Sequence, residues 1–460
     1  MTPPPTTILT STSRLTLTST STSISTTPGR GWAIGGRVGP RDSDLSVPGS
    51  ARFVRSAAAA PPVRSPRLFS AAALGVAAVA GRRQRRQQRR RRTAARAGWH
   101  FGSEDADEPE LQQQGEYQEE DFEDGEEDGF SQLSTHREMI EDEVRTEAFR
   151  KAIFQHCRGK VVLEIGCGTG ILSLFAAQAG ASRVVAVEAN EEVAEFAREV
   201  VSSNGFSDVV TVISGRIEDV WEEVDRQLED ENRGEIQADI LISEWMGFML
   251  VCDGMFRSVV FARDRWLKED GLMLPSKCDL WVAPFSNPAL IEEQTGYWCS
   301  TPYGLNLSAL APRALEQHLS QPVIKILPES GVLATPVSVL HLDCNSAEDW
   351  EVDGGRAKFD FTMNRDAPFH GLAAWFSCEL GPQVSFSTSP DSRPTHWEQT
   401  LLFVGPESPA HELALRAGER VTGDLQWLVS GRSTGVVMVG EVACSAEVVR
   451  FTRRLELHLV

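Results

Sequence analysis

Glu244 and Asp253 are the two acids of a short stretch, SEWMGFMLVCDGMF (Ser243 to Phe256), about eighty residues after a glycine-rich turn. Two carboxylates facing one another can hold a planar cation such as guanidinium by bidentate hydrogen bonds. The glycine-rich turn, Glu164-x-Gly166-x-Gly168-x-Gly170, has the makings of a cofactor loop. Glycine lets a backbone turn tightly and approach a ligand closely. A cofactor loop followed by a cation clamp points to chemistry on an arginine side chain.

The loop spacing narrows the cofactor. It is GxGxG rather than the GxGxxG that seats a pyrophosphate at a helix N-terminus. Glu164, just ahead of the first glycine, is unwelcome beside phosphates and compatible with a ligand that carries positive charge. Glu188 ends the next apolar run, eighteen residues after Gly170, where an acid can take both ribose hydroxyls. Together these residues favour S-adenosylmethionine, which has a sulfonium and an ammonium but no phosphate. A structural turn and a nicotinamide site are the competing interpretations of the same glycines.

The elements that position these residues follow from hydrophobic period. His136–Lys151 has helical spacing, with Met139, Ile140 and Val144 on one side. Val161–Ile165, Arg183–Glu188, Val209–Ser214 and Ala238–Ser243 read as strands; Ile171–Ala179 and Glu191–Ser203 read as helices. Strands alternating with helices predict a parallel sheet covered on both faces. From about Ser276 short alternating segments take over: 280–284, 337–342, 357–363, 371–380, 400–404 and 421–429. They predict an all-β sandwich or barrel, with a helical excursion inside 291–319.

Charge divides the chain. Residues 1–100 hold seventeen Arg, no Lys, no Glu and two Asp, about +15; with the whole chain at −20, the rest carries about −35. An acidic folded part disfavours direct nucleic-acid binding and suits basic partners. The eight Cys include no CxxC pair, which argues against a disulfide framework or a metal site and for an intracellular compartment. Residues 1–98 run from a Ser/Thr tract to the arginine run Arg82–Arg92. Three destinies fit: an organellar transit segment, a nuclear-import signal, or a basic tail. The apolar run Leu68–Ala80 is short of the ~20 residues a membrane helix needs, so no membrane association is expected. Residues 99–129 are strongly acidic and read as a solvated linker.

At this point the chain resembles the protein arginine methyltransferase family, from about Phe130 to its C-terminus. Four stretches carry the resemblance: HREMIEDEVRTEAF (136–149), VLEIGCGTGILSLFAAQAGA (162–181), SEWMGFMLVCDGMF, and PTHWEQTLLF (394–403). It implies a Rossmann-like cofactor domain over 130–275 and a β-barrel over 276–460. It also implies a helical dimerisation arm within about 288–321. By motif, Arg145 would pair with the methionine carboxylate of S-adenosylmethionine. Glu164, Gly166, Gly168 and Gly170 would form its loop, Glu188 would bind the ribose, and Glu218 would lie near adenine. Glu244 and Asp253 would hold the guanidinium, Asp142 and His396 would bridge the two domains beside it, and Met139, Met255, Trp245 and Trp397 would frame the pocket. Partners would be a second copy of the chain and proteins with exposed arginine, Arg/Gly-rich or histone-like.

Three departures stand out. Asp253 replaces the usual second Glu and is shorter by roughly 1.5 Å of reach. Glu126, Glu127 and Phe130 stand where the family's Tyr-Phe and Tyr lid residues are expected. Phe248 and Cys252 replace aromatic hydroxyls. THW and the paired methionines match the asymmetric-dimethylating class, whereas the departures allow monomethylation or weak activity. A catalytically weak paralogue that regulates an active enzyme by dimerisation is the alternative. A methyltransferase acting on another nucleophile is the third option.

Overall fold

The structure is a computed structural model that describes residues 131–229, 236–405, 413–430, 433–444 and 447–458. The leader, the acidic linker and the positions Glu126, Glu127 and Phe130 lie outside the described residues.

Helices α1 (Leu133–Glu141) and α2 (Glu143–His156) come first among the described residues. A single helix over 136–151 was expected; the chain instead breaks at Asp142, where ψ is 92°. Asp142 caps α2 by accepting the Arg145 N–H at 3.0 Å, and a capping carboxylate competes with helix continuation. The expected apolar side is also different. Ile140 is 37 % exposed, and α2 buries Arg145, Thr146, Phe149, Ala152 and Ile153 instead.

Next come β1 (Val161–Ile165), α3 (Ile171–Gln178), β2 (Arg183–Glu188), α4 (Glu191–Ser203), β3 (Val210–Ser214), α5 (Trp221–Leu228), β4 (Ala238–Ile242), α6 (Phe256–Trp266) and β5 (Leu267–Leu274). The strands form one parallel sheet in the order β3-β2-β1-β4-β5. The central strands β1 and β4 are mostly apolar, with Glu164 and Asp239 as their acids, because helices cover both faces. Helix α4 starts at Asn190, whose side chain accepts the Val193 N–H, and buries Val193, Ala194, Ala197 and Val201 along one stripe. Helices α5 and α6 were not anticipated. The strand order reverses between β1 and β4, so the loops leaving these two strands meet at one crevice, the usual ligand position of an open α/β sheet.

The remainder is antiparallel. β6 (Lys277–Phe285) leads into an arm of α7 (Pro288–Cys299) and α8 (Ala311–His318). Then follow β7 (Val323–Lys325), β8 (Val337–Asp343), α9 (Trp350–Asp353), β9 (Gly354–Thr362), β10 (Ala367–Phe369), β11 (Gly371–Glu379), β12 (Ser385–Ser387), β13 (Gln399–Phe403), β14 (Leu413–Leu415), β15 (Arg420–Ser430), β16 (Ser433–Cys444) and β17 (Glu447–His458). One sheet runs β7-β13-β11-β6-β8 with β12 on β11, a second runs β17-β16-β15-β9, and β10 pairs β14. They make the barrel, and Phe359, Phe361, Phe369 and Phe376 lie in its core. The arm stands on a small separate core in which Leu290, Leu315 and Leu319 pack on Phe285, Trp375 and Phe403. Farther out, Tyr297, Tyr303, Leu305 and Leu310 are exposed, Tyr303 by 98 %.

Candidate active site

The glycine loop closes β1 and opens α3. Gly166, Gly168 and Gly170 all take positive φ, at 69°, 54° and 84°, a region that suits residues without a Cβ. There is also no room for side chains at the first two. A Cβ on Gly166 would lie 3.0 Å from Met255 Sδ, and one on Gly168 would lie 3.1 Å from His136 Cε1. Helix α1 and the start of α6 therefore press on the loop from two sides.

Glu188, at the end of β2, accepts the Gly168 N–H at 2.8 Å and the Asn190 N–H at 3.0 Å. It thus fastens the loop to the strand whose end would carry a ribose. Glu164 has a different placement from a ligand contact. It is 1 % exposed and one oxygen accepts from the Ser173 hydroxyl of α3. Burial pushes its carboxyl up to about 8, against the pull of Ser173 and Arg145. It braces the loop from beneath. Glu218 accepts the Ser258 hydroxyl at 2.7 Å through Oε1. Its Oε2 is buried without a hydrogen-bond partner among the described residues, an arrangement that costs about 1–3 kcal/mol unless a donor arrives.

The loop after β4 is stitched to β1: Ser243 Oγ donates to Ile165 O at 2.9 Å. This puts Glu244 beside the glycine loop. Arg145 comes from α2 and donates to Glu244 Oε2 from Nη2 at 3.0 Å and from Nε at 3.3 Å. Their side chains are 7 % and 9 % exposed. The loop then folds back on itself, with Gly247 N donating to Leu250 O at 3.1 Å and Leu250 N to Gly247 O at 2.9 Å. Met249 and Leu250 both take positive φ, 52° and 68°, a strained conformation for side chains of this size. Asp253 is tucked against Gly247, where a Cβ would overlap its carboxyl. Burial first, and the Glu244 carboxylate second, push Asp253 up to about 8. Its carboxyl takes no hydrogen bond from the described residues.

The barrel reaches this loop through Thr395–Trp397. His396 Nδ1 lies 2.8 Å from Asp142 Oδ2, and the His396 N–H donates to the same oxygen at 3.0 Å. Burial acts to raise Asp142, but the hydrogen bonds from His396 and Arg145 hold its carboxyl below the ordinary value. Trp397 Nε1 donates to Met246 O at 2.8 Å. Trp397 is 4 % exposed and Trp245 1 %, and Trp245 packs on Phe256 with centroids 4.5 Å apart. Both indoles were expected to frame the pocket; they are core side chains that hold the loop from behind. Met139 and Met255 are partly buried, and the Met139 carbonyl accepts from Arg145 Nη1 at 3.4 Å.

The fold thus assembles residues from α1, α2, α3 and α6, from the ends of β1, β2, β3 and β4, and from the barrel. Four contributors had no assigned role in the sequence: His136, Ser173, Ser243 and Ser258. His136 lies three residues before Met139 in a stretch already singled out, and that adjacency is the signal for it. The serines have no signature outside the fold.

S-adenosylmethionine fits these residues. Glu218 Oε2 lacks a donor that the adenine amine would supply, Glu188 stands where a ribose would, and the glycines leave a cradle without side chains.

Comparisons agree. Residues 162–271 match a methyltransferase domain, and residues 276–434 match the arginine methyltransferase oligomerization subdomain. The chain is 39 % identical over 314 residues to probable protein arginine N-methyltransferase 6 of Arabidopsis thaliana, covering 60 % of this chain and 69 % of that protein. It is 36 % identical over 304 residues to protein arginine N-methyltransferase 6 of Xenopus laevis, covering 64 % and 84 %. Among solved structures, it is similar to the Trypanosoma brucei PRMT1 enzyme–prozyme heterotetrameric complex with AdoHcy. The identity is 30 % and the TM-score 0.60, over 72 % of this chain and all of that one.

Proposed function

The chain belongs to the protein arginine N-methyltransferase family, and from that premise we propose that Glu244 and Asp253 hold the guanidinium of a substrate arginine for methylation. The activity is transfer of a methyl group from S-adenosylmethionine to a guanidinium nitrogen of protein arginine. When bound, S-adenosylmethionine supplies a methyl group activated on a sulfonium.

The rest is the work of this chain's residues. Gly166, Gly168 and Gly170 shape the cradle, Glu188 and Glu218 would take the ribose hydroxyls and the adenine amine, and Arg145 would take the carboxylate. Free guanidinium is a poor nucleophile because its pKa exceeds ~12 and its lone pairs are delocalised. Carboxylates at Glu244 and Asp253 draw positive charge towards the nitrogens they hold and leave the remaining one better aligned. Orientation and preorganised charge supply most of the acceleration. The proton released by the attacked nitrogen would pass to Glu244 or to the Asp142–His396 pair. The observation that carries this reading is the buried Arg145–Glu244 pair: the loop acid already grips a guanidinium, one provided by the cofactor side of the site.

The protein substrates are Arg/Gly-rich or histone-like in this reading, supported by the negative charge of residues 101–460. A homodimer is supported by Tyr297, Tyr303, Leu305 and Leu310, which lie exposed on the arm. A second reading, a catalytically weak subunit that regulates an active partner, is favoured by Asp253, short, without a hydrogen bond among the described residues and pushed towards its neutral form.

The test is incubation of the full chain with methyl-labelled S-adenosylmethionine and an Arg/Gly-rich peptide, followed by product mass. Mono- or dimethylarginine is the expected product. Absence of transfer by a chain shown calorimetrically to bind the cofactor would favour the regulatory subunit.

A further inference from the structure

We infer that Arg257 and Asp353 are positioning residues of this active site: their ion pair holds helix α6 on the barrel and so fixes where Asp253 and Met255 stand. The inference rests on the methyltransferase reading above and adds a part that lies outside both motif-bearing loops. Three observations lead to it.

The first is where α6 begins. Met255 is the N-cap of the helix, and Asp253 lies two residues before it. Neither side chain has room to adjust. A Cβ on Gly247 would lie 2.2 Å from Asp253 Oδ1, and one on Gly166 would lie 3.0 Å from Met255 Sδ. A shift of α6 is therefore passed to the guanidinium clamp and to the cofactor loop together.

The second is what holds the helix. Arg257 stands in the first turn of α6. Its Nε donates to both oxygens of Asp353, at 3.0 and 2.9 Å, and its Nη2 lies 2.9 Å from Oδ2. A guanidinium fork on a carboxylate fixes direction as well as distance. The Arg257 side chain is about half exposed, whereas that of Asp353 is only 16 % exposed. Farther along the helix, Arg263 is buried, and its Nη1 donates to the carbonyls of Cys344 and Ala347 at 2.7 and 2.6 Å. Six residues separate the two arginines, about 9 Å along the helix axis. Anchors at that separation set the tilt of the helix as well as its place.

The third is what the anchors reach. Both end on residues 344–353 of the barrel. The Cys344 N–H donates to Ser276 O at 2.9 Å, at the start of β6. Val352 O accepts from Trp427 Nε1 of β15 at 3.3 Å. The segment is thus tied to both large sheets of the barrel. Helix α6 takes its position from the same domain that supplies His396 to Asp142.

Arg257 and Asp353 act through α6 rather than on the reacting groups. A rigid helix carries a displacement from one end to the other. The displacement matters because about 1 Å of misplacement at the chemistry costs on the order of a hundredfold in rate.

The experiment compares the full-length chain with Arg257→Gln, Asp353→Asn, their combination, and Arg257→Lys. Rates of methyl transfer to an Arg/Gly-rich peptide give kcat and KM. Titration calorimetry with S-adenosylhomocysteine gives affinity and the number of competent sites. Each neutral single variant should lose about tenfold in kcat, with peptide KM little changed and one binding site retained per chain. Affinity for S-adenosylhomocysteine should fall about threefold in both, because Met255 loosens against Gly166. The combined variant should lose no more than either single one, since both break the same link. Arg257→Lys keeps an ion pair and should stay within about threefold of wild type.

Wild-type kcat in both neutral single variants overturns the inference. So do losses that multiply in the combined variant, which would make the two residues independent. A fall in binding sites that matches the fall in kcat also overturns it, because the pair would then only keep the fold intact. If the wild-type chain binds S-adenosylhomocysteine but transfers no methyl group, the proposed function fails and affinity alone decides the inference. Weaker binding in both neutral single variants supports it, and unchanged binding overturns it.

Discussion

Arg145 and Glu244 are joined across 99 residues of sequence: the Arg145 fork donates twice to one oxygen of Glu244, at 3.0 and 3.3 Å. The pair ties helix α2, which carries the cofactor-side cation, to the loop that holds the substrate acid. Both side chains are more than nine-tenths buried, so neither tolerates loss of the other. Arg145→Ala should destabilise the fold by on the order of 3–5 kcal/mol, the usual result of stranding a buried charge. Arg145→Lys keeps the charge and loses the fork. It should remain folded yet bind S-adenosylhomocysteine roughly tenfold more weakly, a loss of ~1.4 kcal/mol. Thermal melts and titration calorimetry separate the two effects.

Asp253 is short by one methylene and sits in a site where a misplacement of about 1 Å costs on the order of a hundredfold in rate. Asp253→Glu should therefore raise kcat/KM by about tenfold or more. The wild-type profile should also climb with pH, because a carboxyl pushed up to about 8 becomes a competent anion only as it ionises. Asp253→Asn should flatten that climb and lower the plateau. Initial rates on one peptide between pH 6.5 and 9 decide it.

Asp142 and His396 connect α2 to the barrel through two hydrogen bonds to one oxygen. Asp142→Asn preserves a side chain able to cap α2 but removes the ionised acceptor, so catalysis should fall about tenfold or more with helix content unchanged. The folded-state pKa is depressed from 3.8, so the stability it contributes is present above that value and is lost as pH falls below it. The gap in denaturant midpoint between wild type and Asp142→Asn should be full at pH 6 and shrink below pH 4.

Glu164 has the opposite sign. Its folded pKa is raised from 4.5 to about 8, so the folded chain holds a proton that the unfolded chain releases. Stability is therefore lost as pH rises between those values. Glu164→Gln mimics the protonated form. It should melt close to wild type at pH 5 and above it at pH 8.5, with a gap of a few kcal/mol at most.

The arm tests assembly. Replacing Tyr303, Leu305 and Leu310, which are 98 %, 61 % and 42 % exposed, by serine removes apolar surface that lies outside the two hydrophobic cores. Light scattering should show a shift from dimer to monomer, with the melting temperature of the monomer little changed. An unchanged mass would remove the arm from the interface.

Sequence alone marked out the strand–helix frame of the cofactor half and the residues that favour S-adenosylmethionine. The glycine spacing, Glu188 and the strand–helix alternation are local patterns. They repeat at 2 or 3.6 residues and are legible without the fold. Strands β1 and β2 and helix α4 lie where hydrophobic period places them. Only the tertiary structure decided what each acid does. Glu164 and Glu188 look alike as residues, yet one is sealed beneath the loop on Ser173 and the other fastens the loop from its rim. Asp142 breaks a helix whose period runs straight through it: one carboxylate oxygen caps α2 on the Arg145 N–H and the other takes His396 from the barrel. Trp245 and Trp397 became struts rather than pocket walls, since burial depends on what packs behind them. Residue type sets which charges and hydrogen bonds are available. Desolvation and partners brought from as far as 254 positions away set which of them are ionised, held or left waiting for a ligand.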